Sequence, residues 1–137
     1  MEFKVLIATE HKPLRLEEFV SEGLTRTNVS PTYKRVYSAA IVRKEIEKED
    51  YDLVILGRDY LQNESDLKAL MRLGKDKDTQ IIGFTSDIPT AEQARKTGMP
   101  VFINRLKGKR NSLSDYIRGK ALKRASTYKS DREEVAA

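Results

Sequence analysis

Four stretches of the chain are continuously apolar rather than alternating: FKVLIAT at 3–9, DLVILG at 52–57, QIIGFT at 80–85 and PVFIN at 100–104. Continuous apolar runs of this length predict strands covered on both faces. A fifth run, YKRVY at 33–37, carries charge within it and is expected at a sheet edge. The intervals between strands have helical spacing. Leu16, Phe19, Val20 and Leu24 form one stripe, and Ala39, Val42 and Ile46 form a second before the acidic EKED segment. A third helix begins at a cap supplied by Asn63 or Ser65, buries Leu67, Leu70 and Met71, and stops at a left-handed Gly74. The segment TAEQARKTG predicts a short fourth helix between a capping Thr90 and a terminating Gly98. NSLSDYIRGKALKRASTYK predicts the last, with Leu113, Tyr116, Ile117 and Ala121 on one side and charge from Arg124 onward.

Strand and helix thus alternate five times, and a parallel connection needs a crossover element. The expected fold class is α/β: a flavodoxin-like, doubly wound, five-stranded parallel sheet in the order 2-1-3-4-5, with helices on both faces. Functional groups in such sheets gather at the C-terminal ends of the central strands, where the connections diverge. Those ends are Thr9, Glu10, Gly57, Arg58 and Asp59, joined by Thr85 and Arg105. A single domain over 1–125 followed by a polar tail over 126–137 is the expected organisation.

Composition narrows the chemistry. The chain of 137 residues has no cysteine and one histidine, His11, which argues against thiolate metal sites, cysteine nucleophiles and Ser/His triads. No metal, cofactor or enzymatic activity is expected. An apolar run too short for a signal peptide, and no long apolar segment, lead to the expectation of a soluble, cytoplasmic protein. The net charge of +5 is unevenly placed. Residues 1–104 hold 16 Lys/Arg against 17 Asp/Glu, residues 105–129 hold 9 against 1, and residues 130–137 hold 1 against 3. The basicity is therefore C-terminal.

The segments KVLIATE, EKEDYDLVILGRDYL, DTQIIGFTS and ARKTGMPVFINRLKG resemble, in order and spacing, the receiver domains of two-component response regulators. The resemblance runs over about residues 3–120, with a poor fit from Thr25 to Thr32. It implies a pocket in which an aspartate accepts a phosphoryl group from a histidine kinase, with Mg²⁺ held by that aspartate and an acidic pair. Here the acceptor position falls on Gly57, and the acidic pair on Thr9 and Glu10. One remaining carboxylate is a poor match to the oxygen-rich octahedral shell of Mg²⁺. The switch hydroxyl falls on Thr85, the switch aromatic on Phe102, and the phosphate-pairing lysine on Arg105, followed by Leu106 in place of a proline. The resemblance therefore implies an atypical, pseudo-receiver form acting by protein contact, with Thr9, Glu10, Gly57, Arg58, Asp59, Thr85 and Arg105 as a vestigial phosphorylation pocket. Arg58 is expected to pair with Glu10 or Asp59 where Mg²⁺ would otherwise sit.

Alternatives attach to two features. Asp59 could serve as a displaced phosphoacceptor. The basic residues Arg105, Lys107, Lys109, Arg110, Arg118, Lys120, Lys123 and Arg124, with Lys129 beyond them, could meet an acidic protein or a nucleic-acid backbone, since phosphate contacts need only clustered cations. The chain carries no helix-turn-helix, zinc-finger or RNA-binding signature. In the resembling family, receivers pair through the face of helix 4, strand 5 and helix 5, which makes a homodimer a further expectation.

Overall fold

The computed structural model describes residues 2–9, 16–103 and 113–123. Five strands form one sheet: β1 (Glu2–Ala8), β2 (Ser30–Val36), β3 (Leu53–Leu56), β4 (Gln80–Thr85) and β5 (Val101–Ile103). Their order is β2-β1-β3-β4-β5 and every pairing is parallel. The helices are α1 (Leu16–Leu24), α2 (Ala39–Lys48), α3 (Glu64–Lys77) and α4 (Ile88–Arg95), with α5 over 113–123 and a 3₁₀ turn, Arg58–Leu61, between β3 and α3. The expected fold class holds.

The continuous apolar runs work because successive side chains enter different cores. On one face Leu6, Ala8, Val54, Leu56 and Ile81 pack with Val42, Ile46, Leu67, Ala91 and Ala94 from α2, α3 and α4. On the other, Phe3, Val5, Ile7, Leu53, Ile55 and Ile82 pack with Leu16, Val20 and Leu24 of α1 and with Leu113, Ile117 and Ala121 of α5. The stripes expected on these helices supply that packing, with Phe19, Leu70, Met71 and Tyr116 half-buried at its margins and Ala39 left exposed.

Three boundaries differ from the sequence expectation, each for a tertiary reason. Asn63 does cap α3, its side chain accepting from the Asp66 amide, but the helix continues through Gly74 to Lys77 and is stopped by Asp78 at φ 55°. Gly74 is inside because a Cβ there would lie 2.8 Å from both the Thr79 carbonyl oxygen and Ile81 Cδ1, so its smallness serves packing. Helix α4 starts at Ile88 with Asp87 as N-cap and Pro89 in the first turn, which places Thr90 inside it. Gly98, at φ 93°, does turn the chain after α4 toward β5. Strand β2 begins at Ser30, earlier than expected, because α1 ends at Leu24 and the chain reverses within a few residues through left-handed Arg26 and Asn28. As expected, β2 is an edge strand. It carries Pro31, Lys34 and Arg35, with Arg35 Nε donating to Glu17 Oε1 at 2.7 Å.

A charged network ties this edge to α2. Lys34 Nζ lies 2.9 Å from Glu45 Oε2, Tyr51 donates to the same oxygen at 3.0 Å, and Lys4 Nζ donates to Glu49 Oε2 at 3.1 Å. The hydrogen bond from Lys34 holds the Glu45 carboxyl below the usual carboxylate range, and Lys4 does the same for Glu49. Desolvation, reinforced by Glu45, pushes the Tyr51 phenol well above its ordinary value. A carboxyl with a depressed folded-state pKa contributes stability above its ordinary value of 4.5 and loses it as pH falls further. Melting temperatures of the wild type and Glu45→Gln should therefore differ above about pH 4.5 and converge in more acid solution. A gap that stays constant through the acid range would show that the carboxylate charge contributes nothing.

Candidate functional site at the C-terminal edge of the sheet

The ends of β1, β3 and β4 meet at one edge. The Gly57 amide donates to the Ala8 carbonyl at 2.8 Å, and the Thr9 amide donates to the Val36 carbonyl at 3.3 Å. These bonds seat Thr9 directly beside Gly57. Gly57 has φ −80° and ψ 178°, a conformation open to any residue, so backbone freedom is not why glycine stands here. Space is the reason. A Cβ on Gly57 would lie 2.8 Å from Thr9 Cγ2 and 3.3 Å from Thr9 Cβ, so the threonine methyl occupies the room that a side chain at 57 needs. Thr9 is only 7% exposed, and among the described residues its Oγ1 has no hydrogen-bond partner.

Arg58 opens the 3₁₀ turn above this contact. The sequence pointed to Glu10 or Asp59 as its partner; among the described residues Arg58 Nε instead lies 3.1 Å from Asp87 Oδ2, at the N-cap of α4, and Glu10 falls outside them. The Asp87 carboxylate makes no capping hydrogen bond to α4, which leaves it to Arg58. With the Arg58 side chain 62% exposed, the pair is screened and contributes at most about 1 kcal/mol. Its effect is positional, linking the turn after β3 to the start of α4.

Thr85 ends β4 and is buried, and its Oγ1 accepts from the Asp87 amide at 3.1 Å. That bond turns the chain into α4. Phe102 is half-buried on β5, its ring centroid 5.0 Å from that of Tyr116 on α5, so the expected switch aromatic has a ring partner that the sequence did not identify. Burial raises the Tyr116 phenol above its ordinary value. Asp59 is exposed and lines an open groove with Gln62, Asn63, Glu64, Ser65 and Lys68, on the α3 side of the turn. Thr9, Gly57, Arg58 and Thr85 are therefore gathered at the sheet edge, with Phe102 on β5. Glu10 and Arg105 lie outside the described residues, as does His11. Among the described residues, no group of three or more His, Asp or Glu side chains is placed to hold a metal ion.

Of the basic residues, Arg118, Lys120 and Lys123 lie on α5, whereas Arg105, Lys107, Lys109, Arg110 and Arg124 fall outside the described residues, with the 126–137 tail. Arg118 Nη2 donates to the Glu22 carbonyl at 2.9 Å, and the Lys120 ammonium sits 5.4 Å from the Tyr116 ring centroid. Asp87 was the site residue missed by the sequence reading. Its signal was the S-D-I-P pattern, an Asp two residues before a first-turn proline.

No protein-family model and no curated protein sequence matches the chain. Solved structures do. NtrX from Brucella abortus superposes with a TM-score of 0.58 at 16% identity over 96% of this chain, which spans 30% of that protein's length. The chemotaxis response regulator CheY4 of Vibrio cholerae gives 0.55 at 15% identity, covering 91% of this chain and 99% of that one. The orphan response regulator HP1043 of H. pylori gives 0.56 at 14% identity, covering 87% and 96%. The chain therefore has the CheY-like receiver fold. Among the described residues, no helix is long and apolar enough to cross a membrane.

Proposed function

We propose that this chain is a pseudo-receiver: a response-regulator module that works in signalling or transcriptional regulation by phosphorylation-independent protein contact. The observation that carries the proposal is the packing of Thr9 against Gly57, which leaves neither a carboxylate at the acceptor position nor room for one. The Arg58–Asp87 pair supports it by tying the pocket rim to α4 through the chain's own side chains. In this reading the chain has no catalytic role, needs no cofactor and works in the cytoplasm. Its contact surface is the face of α4, β5 and α5, where Ile88 is 54% exposed and Phe102 meets Tyr116 at the sheet edge. The same face is the proposed route to a homodimer.

Incubation with a small phosphoryl donor and Mg²⁺, read by intact mass, should leave the protein unmodified. A phosphoryl adduct abolished by Asp59→Asn would instead establish the displaced acceptor. A second reading, a regulator that touches nucleic acid, is favoured by the 9 basic residues against 1 acidic over 105–129. It requires binding to a DNA duplex that weakens steeply as salt rises.

A further inference from the structure

The outward side of α5 has a composition that the fold itself does not require. Leu113, Ile117 and Ala121 define the buried side, all fully covered. Directly opposite, at the centre of the exposed side, stands Gly119, and a Cβ added there would meet nothing within 4 Å. Glycine in the middle of a helix lowers its stability relative to alanine, and it is normally kept where something must come close. No part of the described chain comes close to Gly119. One turn further along the same side, Leu122 leaves half of its surface, 50%, in water. Arg118 and Lys123 flank this notch, Lys120 lies beyond it against Tyr116, and Asp115 precedes it by one turn. Arg118 spends one donor on the Glu22 carbonyl, and a guanidinium has others to offer.

We propose that this side of α5 seats an acidic amphipathic helix of a protein partner, with the partner's apolar stripe lying over Gly119 against Leu122 and its acidic flanks meeting Arg118, Lys120 and Lys123. The inference rests on the reading of the chain as a protein-contact module and gives that module a partner chemistry. Complementarity of charge sets the sign of the partner, because the segment around the helix is strongly basic. The notch and the leucine set its class. Phosphate contacts are made by cations and gain nothing from an exposed leucine. A helix gains from both features, since a position without Cβ lets two helix axes approach and an exposed leucine supplies an anchor.

The test uses the full chain and three labelled probes: a synthetic helical peptide with a leucine stripe and glutamates elsewhere, a scrambled peptide of the same composition, and a short DNA duplex. The striped peptide should bind about tenfold more tightly than the scramble. Gly119→Leu, which fills the notch, and Leu122→Ser, which removes the anchor, should each weaken the striped peptide about tenfold. Gly119→Leu should also melt no lower than the wild type, because leucine is the better helix former, so unfolding cannot account for its loss of binding. Equal affinity for striped and scrambled peptides, or unchanged striped-peptide binding by Gly119→Leu, would overturn the proposal. So would a duplex that binds more tightly than the striped peptide and is lost in the same variants, which would make this a phosphate-binding surface. Each titration is repeated after treatment with phosphoryl donor and Mg²⁺. Stripe-dependent binding seen only in phosphorylated protein would overturn the phosphorylation-independent reading and keep the docking seat. Unmodified protein that ignores the stripe would overturn the seat alone.

Discussion

Gly57→Asp, the substitution that would restore a carboxylate at the acceptor position, is expected to destabilise the fold by about 3 kcal/mol and still give no phosphorylated product. The added Cβ alone would sit 2.8 Å from Thr9 Cγ2, inside any normal contact distance. Thr9 has little freedom to yield, being 93% buried by its 7% exposure and held by the bond from its amide to Val36. Overpacking of this kind typically costs 1–3 kcal/mol, and an ionised carboxyl forced into a buried site adds a desolvation term. The test lies in the coupling. Thr9→Ala removes the methyl that the aspartate strikes, so the double variant should recover about 1 kcal/mol or more relative to the sum of the two single changes. Urea denaturation of the four proteins measures this directly. Strict additivity would show that the two side chains do not compete for one space, and the argument for a filled acceptor site would fall with it.

The coupling also shows what could be read from the sequence and what could not. The sheet was legible because each strand is buried on both faces and so reads as an unbroken apolar run; β4 has the expected bounds and the other strands agree to within a few residues. The helix ends at Gly74 and Thr90 were misread because local signals there compete with contacts that have no sequence signature. Gly74 looks like a helix stop until Thr79 and Ile81 are seen packed against it. Threonine is a reasonable cap until Asp87 and Pro89 are seen to start α4 one turn earlier. In the site, Thr9, Gly57 and Thr85 were legible because strand ends in this topology converge. The pairing of Arg58 with Asp87 was not, since sequence proximity favours Asp59 whereas the fold brings Asp87 from the N-terminus of α4. The reason for glycine at 57 was legible only as a missing side chain. Its physical content, a space already occupied by Thr9, required coordinates.

The second large effect is expected at Gly23, where α1 crosses α5. A Cβ there would lie 2.7 Å from the Ser114 carbonyl oxygen and 3.0 Å from Ile117 Cβ and Cγ2. That oxygen is helix backbone and cannot rotate away, so the two helices would have to part. They are also stitched together on either side of the contact: Ser114 Oγ donates to the Phe19 carbonyl at 3.0 Å and Arg118 Nη2 to the Glu22 carbonyl at 2.9 Å. Gly23→Val should therefore lose about 3 kcal/mol or more and lower the melting temperature by roughly 10 °C. The loss should also be local in origin. Amide exchange over 113–123 should accelerate more than exchange in β1 and β3, because α5 is the element displaced while the central strands keep their partners. Uniform acceleration would mean that the crossing does not anchor α5 in particular, and an unchanged melting temperature would mean that the helices separate without penalty. Gly23 and Gly119 thus stand in steric contrast on neighbouring helices. The first has no side chain because α5 is already there. The second has none although the space above it is open, and that open space is presented to a partner only as firmly as the contact at Gly23 holds α5 against the sheet.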